Sequence, residues 1–389
     1  MEAETHPLMR YCVGFCLFVA ACSPQPTQVS NSGKGAFESA LTPFGDGFAV
    51  AWYDTRDGNG EIYARLLDAD GGVAGPERRL TNSSEDSFEA SIDRLGDGFA
   101  VAWYDQSSNG EQTARLGMWS RDGSNRWVHA FARGTRSPVI RSSASAVFCA
   151  WVQVEADGQE AVFGGWWGVD GRPTMAPVRL AAASKTTWNL NTSIDPQGVA
   201  WVVFDAEYST RANELYLARA GASVAAPAAA SAPVRLTKDD GAPSKYPDIS
   251  IGDGGRVALS WQDERDGNVE VYLLTAQLAE LTGEIDGRSR RVTNTPGESN
   301  GAYLTWNGDR IGLAWADKTP GQHEIYFAAF DRSGNPQPSA SRVTQTSPWS
   351  LVPAIRPRGS GFAISWTEYV PASVKLHEGT AEVFFQMIP

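Results

Sequence analysis

Cysteine and histidine are scarce in this sequence, with only four of each among 389 residues. Three of the cysteines, Cys12, Cys16 and Cys22, lie near the N-terminus, so the rest of the chain holds only Cys149. No disulfide can therefore form within that remaining part. The histidines stand far apart, without the spacing that is typical of a zinc site. A disulfide scaffold is excluded, and nothing in the pattern indicates a metal enzyme.

Basic residues are also few, because 33 Lys and Arg face 45 Asp and Glu and leave a net charge of −12. An acidic chain of this kind disfavours a nucleic-acid partner. Catalytic motifs are lacking as well. Gly297–Gly301 fits Gly-x-Ser-x-Gly, but that motif needs a strand–turn–helix context, and no stretch has the period and caps of a long helix. We expect no catalysis, no cofactor and no bound metal.

What the N-terminus does contain is an apolar run of 11 residues, Tyr11 to Ala21, preceded by Arg10. The run is too short to cross a bilayer and has the form of a signal-peptide core. Glu2 and Glu4 are unusual before such a core, so we expect the true start at Met9.

The end of that run, Val19-Ala20-Ala21-Cys22, resembles the lipobox of bacterial lipoproteins. The resemblance implies a signal peptide over residues 1–21, lipid chains such as palmitate on Cys22, and a short tether over residues 22–26. It implies attachment to a membrane of the cell envelope. Ser23 is compatible with outer-membrane sorting in that family, so we expect the outer membrane rather than the inner one.

A repeat organises the rest of the chain. Gly47–Asp54 returns almost unchanged as Gly98–Asp105, and weaker copies continue to the C-terminus. A tryptophan marks the same place in six of seven copies, and valine replaces it in the fourth. The seven anchor positions, 48 to 58 residues apart, are Trp52, Trp103, Trp151, Val203, Trp261, Trp315 and Trp366. Repeats of this length are typical of propellers and solenoids.

Each copy holds four β-type segments joined by Gly- and Asn-rich links that suit tight hairpins. The sequence therefore predicts an all-β, seven-bladed β-propeller of four-stranded antiparallel blades over residues 27–389. The last copy lacks its fourth strand, and Gln28–Ser32 aligns with the fourth strand of another copy, Arg79–Ser83. We expect this N-terminal segment to close the ring as the outer strand of the last blade, in a monomer.

Two stretches, Asp54–Tyr63 and Asp263–Tyr272, share an Asp-x-Arg-Asp-Gly-Asn turn that leads into an Ile/Val-Tyr strand. This signature resembles the blades of TolB-like propellers. The resemblance implies a propeller fold and a location in the cell envelope.

Acidic residues recur at both ends of one hairpin in nearly every copy, as in Asp54 with Glu61 and Asp263 with Glu270. Because every blade shares them, we expect them to accept hydrogen bonds from their own loops. The alternatives are an acidic crown for cations or basic partners, and a weaker calcium possibility at Asp57, Asn59 and Glu61, which form a fragment of a calcium-loop pattern.

Residues that break the repeat are the better candidates for binding. We expect ligand contacts from five of them: Trp349, Trp188, Tyr246, Arg136 and Asn300. The leading hypothesis is a lipid-anchored, non-catalytic binding or scaffold module for an envelope protein or a glycan. Ser120–Trp127 resembles the Asp-box turn of sialidase propellers, and a glycan-acting, sialidase-like hydrolase that uses acids in the channel mouth is one alternative. A purely structural envelope protein is the other.

Overall fold

Each copy of the repeat forms one four-stranded antiparallel sheet, and seven such blades make a propeller ring. The computed structural model describes residues 25–221, 232–371 and 379–389. The expected signal peptide and Cys22 lie outside the described residues. The predicted fold class is confirmed.

The strands run along the chain blade by blade. In order they are β1 (Thr27–Gln28), β2 (Ala36–Phe44), β3 (Gly47–Asp54), β4 (Glu61–Leu67), β5 (Arg78–Arg79), β6 (Asp86–Leu95), β7 (Gly98–Gln106), β8 (Gln112–Trp119), β9 (Asn125–Ala130), β10 (Thr135–Ser142), β11 (Ala146–Val154), β12 (Glu160–Gly168), β13 (Pro173–Arg179), β14 (Thr186–Ile194), β15 (Ala200–Glu207), β16 (Glu214–Ala220), β17 (Val234–Arg235), β18 (Ser244–Ile251), β19 (Arg256–Asp263), β20 (Glu270–Gln277), β21 (Arg290–Arg291), β22 (Ser299–Asn307), β23 (Arg310–Asp317), β24 (Glu324–Asp331), β25 (Pro336–Arg342), β26 (Trp349–Arg358), β27 (Gly361–Pro371) and β28 (Gly379–Ile388). Three single-turn 3-10 helices, Asp253–Gly255, Leu278–Glu280 and Asp286–Arg288, are the helical elements of the described residues.

The apolar core lies between neighbouring blades. All six anchor tryptophans, from Trp52 to Trp366, are buried there. Trp52 of β3, for example, packs in one cluster with Leu41 of its own blade and Phe385 of the last blade. In blade four the predicted anchor Val203 is wrong by one position, because Phe204 pairs with and stacks on Tyr216 as Trp52 does on Tyr63. Because the second strands are covered on both faces, they read as nearly continuous apolar runs, as the sequence indicated.

The N-terminal segment closes the ring, as predicted. β1 pairs antiparallel with β28, with Thr27 opposite Phe385. Beyond the strand, the Val29 amide donates to the carbonyl of Val383 at 2.7 Å, and the Val29 side chain is fully buried. The Ser30 hydroxyl also donates a hydrogen bond to the Glu382 carboxylate. The last blade is thus made from both ends of the described chain, and the N-terminal segment covers the middle of the outer edge of β28.

The first strand of every blade carries a β-bulge, which the sequence analysis did not foresee. In β2 the register shifts between Phe37 and Ala40, and the other six first strands shift at the equivalent place. First strands of successive blades contact one another around the ring, from β2 to β26 and back to β2. A bulge changes the direction in which the side chains of its strand point. The first strands, which lie closest to the axis of the ring, can therefore direct side chains toward its centre.

Candidate functional site

The first strands enclose a central cavity with a volume of about 690 Å³. All seven of them contribute to its wall, together with Tyr104 of β7 and Gln112 of β8. Since the bulges lie at one end of these strands, they form the mouth of the cavity. The deeper wall is formed by residues further along the same strands.

Two glutamates stand at equivalent bulge positions of adjacent blades and line this mouth, Glu38 on β2 and Glu89 on β6. Both have a φ of 53°, in the left-handed region of backbone conformation that residues other than glycine rarely adopt. Such a backbone conformation costs on the order of 1–2 kcal/mol per residue. The other five first strands carry Ser137, Trp188, Tyr246, Gly301 and Val352 as the first residue of the bulge. Carboxyl groups are therefore specific to two blades, unlike the shared acids of the hairpins.

The two carboxyl groups affect one another. Burial, with the neighbouring charge of Glu89, raises the pKa of Glu38 to about 8. The pKa of Glu89 is also raised by burial, although hydrogen bonds from the Ser137 and Tyr104 hydroxyls and the nearby charge of Arg136 oppose the rise. These effects favour the protonated form of Glu38, whose side chain lines the cavity.

Arg136 lies beside this pair and is held by the next blade. Its guanidinium donates to Glu160 at 2.8 Å and to the carbonyl of Thr187 at 2.6 Å. Glu160 in turn accepts the Thr187 amide at 2.6 Å. The side chain lines the cavity, but its charge already has a carboxylate partner.

Two aromatic side chains of blades four and five form an exposed part of the mouth. Trp188 is 54% exposed and Tyr246 is 40% exposed, and both line the cavity. The Asn189 amide donates to the Tyr246 hydroxyl, and the ammonium nitrogen of Lys245 lies 6.0 Å from the centre of the Trp188 ring. These two rings are platforms for a flat apolar surface, with polar groups beside them.

Asp205 holds the backbones that carry these two rings. Its carboxylate is fully buried and accepts the amide of Trp188 at 3.0 Å and the amide of Tyr246 at 3.0 Å. Burial raises the pKa of Asp205 to about 6, and the two amides oppose the rise. In this blade Phe204 pairs with Tyr216 and stacks on it, as Trp52 does with Tyr63, so Asp205 takes the place that Tyr53 has in blade one.

No family model matches this sequence, and no curated protein matches it. Solved structures share its fold. An endosialidase of phage phi92 has a TM-score of 0.55 and 10% identity, covering 94% of this chain and 68% of that one. An α-L-arabinofuranosidase of Fusarium graminearum, solved with an iminosugar inhibitor, has a TM-score of 0.53 and 9% identity, covering 93% and 97%.

A protein of unknown function from Dyadobacter fermentans has a TM-score of 0.52 and 10% identity, and the match covers 94% of this chain and 99% of that one. At these identities the likeness is one of fold alone. Two of the three similar structures are nevertheless named as enzymes that act on glycans.

Three of the five predicted ligand residues, Trp188, Tyr246 and Arg136, share the cavity, and the other two lie elsewhere. Trp349 is the first residue of β26 rather than a loop residue, and its ring packs against His323 at 5.6 Å and Tyr369 at 6.3 Å. Asn300 pairs with Ala316 in the sheet, ahead of its bulge, and does not line the cavity. The five residues therefore do not form one site.

The repeated acids are hydrogen-bonded within the fold, as expected. Glu61 accepts the Arg79 guanidinium at 2.7 Å and the Ser83 amide at 2.9 Å, and it also receives the Thr81 hydroxyl. Asn59 turns its amide nitrogen, not its oxygen, toward Glu61 at 3.1 Å, and Asp57 accepts the Tyr63 hydroxyl. Internal donors thus contact several of the oxygens that a cation would need, and the calcium possibility at Asp57, Asn59 and Glu61 stays a prediction.

Nowhere in the described ranges do three or more His, Cys, Asp or Glu side chains group as metal ligands. In the same ranges no helix has the length and apolar character to cross a bilayer.

Sequence reasoning missed Glu38 and Glu89, although a signal was present. Fourteen positions before each anchor, only these two copies carry an acid. The bulge explains the omission. The alternation of side chains between the two faces of a regular strand does not show which residue a bulge turns toward the centre.

Proposed function

We propose that this protein is a lipid-anchored cell-envelope propeller whose cavity mouth binds a glycan. The observation that carries the proposal is the placement of the exposed rings of Trp188 and Tyr246 on one wall of a cavity that also contains Glu38, Glu89 and Arg136. A sugar presents apolar C–H faces and a rim of hydroxyl groups. Exposed amphipathic rings beside fixed polar groups complement such a ligand.

The cavity supports this proposal by its size and position. About 690 Å³ lies within the usual range of roughly 300–1,000 Å³ for small-ligand sites. The bulge of each first strand directs residues to this centre, so seven blades supply different side chains to one place. The residues that differ between blades meet there, as expected of a specific site on a repeated scaffold.

Attachment to the envelope remains a proposal from the lipobox-like segment that ends at Cys22. β1 begins at Thr27, five positions later. A tether of this length spans roughly 15–18 Å when extended, so the last blade would stand close to the membrane. A TolB-like origin of the blades is part of the same proposal.

Binding can be tested with the purified full chain on a glycan array, followed by calorimetry with any glycan that binds. We expect Trp188→Ala to weaken binding about tenfold or more, because an exposed aromatic contact is lost. Trp349→Ala is the matched control, since that ring lies outside the cavity. An array without any bound glycan would refute the proposal, and capture of an envelope protein at the same mouth would favour a protein partner instead.

Glycoside hydrolysis is a second candidate, favoured by the Glu38–Glu89 pair. Hydrolysis by two carboxyl groups requires one to donate a proton to the leaving oxygen while the other is ionised and acts as base or nucleophile. Burial and mutual repulsion keep Glu38 protonated at neutral pH, as a general acid must be. The left-handed backbone at both residues also occurs at Ser137, Tyr246, Gly301 and Val352, so it belongs to the repeated bulge and carries no argument for catalysis.

A panel of glycosides distinguishes hydrolysis from binding alone. We expect any turnover to fall by at least about a hundredfold in Glu38→Gln and in Glu89→Gln, since general acid–base groups contribute factors of this size. Glu298→Gln, at an exposed carboxyl outside the cavity, should keep full activity. Turnover that survives both cavity substitutions would assign the activity to other residues or to a contaminant.

A further inference from the structure

Two arginines line the cavity below its mouth. Arg141 lies on β10 and Arg356 on β26, each four residues beyond the bulge positions Ser137 and Val352. A strand rises about 3.3 Å per residue, so their backbones lie on the order of 10 Å deeper than the carboxyl pair. They belong to blades three and seven, which are not adjacent in the ring.

Neither guanidinium has a close acidic partner. Arg141 donates to the carbonyl of the preceding Ile140 at 3.0 Å, and Arg356 donates to the carbonyl of the preceding Ile355 at 2.8 Å. Among the described residues, no carboxylate forms a salt bridge with either of them. Arg136 at the mouth, by contrast, is paired with Glu160. A guanidinium carries five N–H donors in a planar fork, so both deeper arginines retain donors for a ligand.

The two carboxylates whose charges act on Arg356, Asp93 and Asp248, accept hydrogen bonds from other groups. Asp93 accepts the Ser142 amide at 2.8 Å and the Thr42 hydroxyl at 2.9 Å. Asp248 accepts the Leu304 amide at 2.9 Å. Each of these acids thereby joins its blade to a neighbour. They moderate the positive charge of the arginines without occupying their donors.

The two guanidinium groups also repel one another. Burial and the charge of Arg141 lower the pKa of Arg356 to about 10, while Asp93 and Asp248 oppose the change. Arg356 is still cationic at neutral pH. An anion between them would relieve that repulsion and satisfy their free donors, and a carboxylate or a sulfate matches the fork of a guanidinium.

We propose that the glycan bound in this cavity is acidic, and that Arg141 and Arg356 bind its anionic group at the inner end. The inference rests on the proposed function, because it assigns a charge to the same ligand. Trp188 and Tyr246 contact the sugar at the mouth, while the carboxylate or sulfate of the same ligand points inward. The proton on Glu38 removes one negative charge from the path of such a ligand.

Calorimetry on the full chain with matched probes tests this assignment. The probes are hexuronate and sialyl oligosaccharides, their carboxyl-reduced neutral counterparts, and sulfated forms of the same sugars. We expect at least one acidic probe to bind about tenfold or more tightly than its neutral counterpart, since a hydrogen bond to a charged group contributes at least that much. The carboxylate and sulfate series show which anion is preferred.

Arg141→Gln and Arg356→Gln should each lower the affinity for the acidic probe about tenfold. The affinity for the neutral probe should not change. Arg332→Gln, in an exposed turn, is the control. Arg356→Lys is a milder variant, because it keeps the positive charge and removes only the planar set of guanidinium donors. We therefore expect its affinity for the acidic probe to lie between those of the parent chain and Arg356→Gln. Thermal melting of each variant confirms that the blades are intact.

The failures of the two proposals are distinguishable. If neutral and acidic probes bind equally well, or if the arginine variants weaken both alike, the acidic assignment is overturned while glycan binding stands. If no glycan of either class binds, both proposals fall. Binding of an acidic probe that is lost in Trp188→Ala but unaffected in both arginine variants would also overturn the assignment.

Discussion

The indole nitrogen of Trp52 donates a hydrogen bond of 3.0 Å to Oδ2 of Asp54, two residues further along the same strand. The anchor ring and the acid at the end of the strand are therefore one unit. The same contact recurs in three other blades: Trp103 to Asp105 at 2.9 Å, Trp261 to Asp263 at 3.0 Å and Trp366 to Glu368 at 2.7 Å. Serine hydroxyls from preceding segments complete it, as with Ser87 on Asp105 at 2.8 Å.

This contact predicts unequal effects of one substitution in two blades. Trp52→Phe removes ring volume and the hydrogen bond to a buried carboxylate. Trp315→Phe removes similar volume only, because the indole nitrogen of Trp315 is buried without a hydrogen-bond partner. We expect Trp52→Phe to lower the free energy of unfolding by roughly 1–3 kcal/mol more than Trp315→Phe does. Denaturant unfolding of the two variants measures the difference, and equal losses would show that packing alone sets the cost.

The sequence predicted the members of this unit but not their connection. Repetition identified Trp52 as an anchor and Asp54 as a turn residue, because both recur at fixed places. Their hydrogen bond depends on the rotamer of the indole, which no spacing reveals. Blade four shows this most clearly: the missing tryptophan was visible, but not that Phe204 takes its place and that Asp205 accepts the amides of Trp188 and Tyr246.

Ring closure predicts that a small change near the N-terminus destabilises the molecule. Val29→Ala removes apolar volume from a fully buried position between the first and last blades, and we expect a loss of about 1–3 kcal/mol in the free energy of unfolding. Asn31→Ala, two residues on and exposed, is the control and should be near neutral. Deletion of residues 25–32 should cost more than Val29→Ala, and a deletion that melts like the full chain would contradict closure.

The Glu38 carboxyl predicts how stability changes with pH. Its pKa is about 8 in the fold against an ordinary value of 4.5, so between those values the folded state binds more protons than the unfolded state. The free energy of unfolding therefore falls as pH rises from about 4.5 to 8. Below this window both states are protonated, and above it the full cost of burying the charge is present. Glu89 acts in the same direction.

Glu38→Gln removes this ionisation and isolates the effect. We expect the variant to gain stability relative to the parent chain as pH increases from 5 to 8, measured by denaturant unfolding at each pH. Glu298→Gln, at an exposed carboxyl, should show no such trend. A constant difference between Glu38→Gln and the parent at both pH values would mean that Glu38 ionises normally in the fold.

The candidate site was less predictable than the fold for a physical reason. Blade-forming residues recur in seven copies, so the fold can be predicted even where a single copy departs from the pattern. The cavity is made where blades differ, and it gathers residues that are far apart in sequence, such as Glu38 and Arg356. Trp349 was prominent for the same lack of a counterpart, but it packs against His323 and Tyr369 instead. Residues that depart from the repeat are candidates for ligand contacts. Which of these candidates lie next to one another depends on how the seven blades are arranged in the ring.

Asp205 predicts a separation between stability and binding. Asp205→Ala leaves the amides of Trp188 and Tyr246 without their acceptor, so we expect a loss of roughly 1–3 kcal/mol in the free energy of unfolding. The same substitution should weaken glycan binding, because it releases the backbones that position both rings. Asp317→Ala removes a buried acid at the end of the second strand of blade six, which accepts the Ser299 hydroxyl at 2.7 Å and the Thr319 amide at 2.8 Å. It should cost similar stability and leave affinity unchanged. Equal affinity losses in the two variants would show that Asp205 acts through the fold as a whole rather than through these two rings.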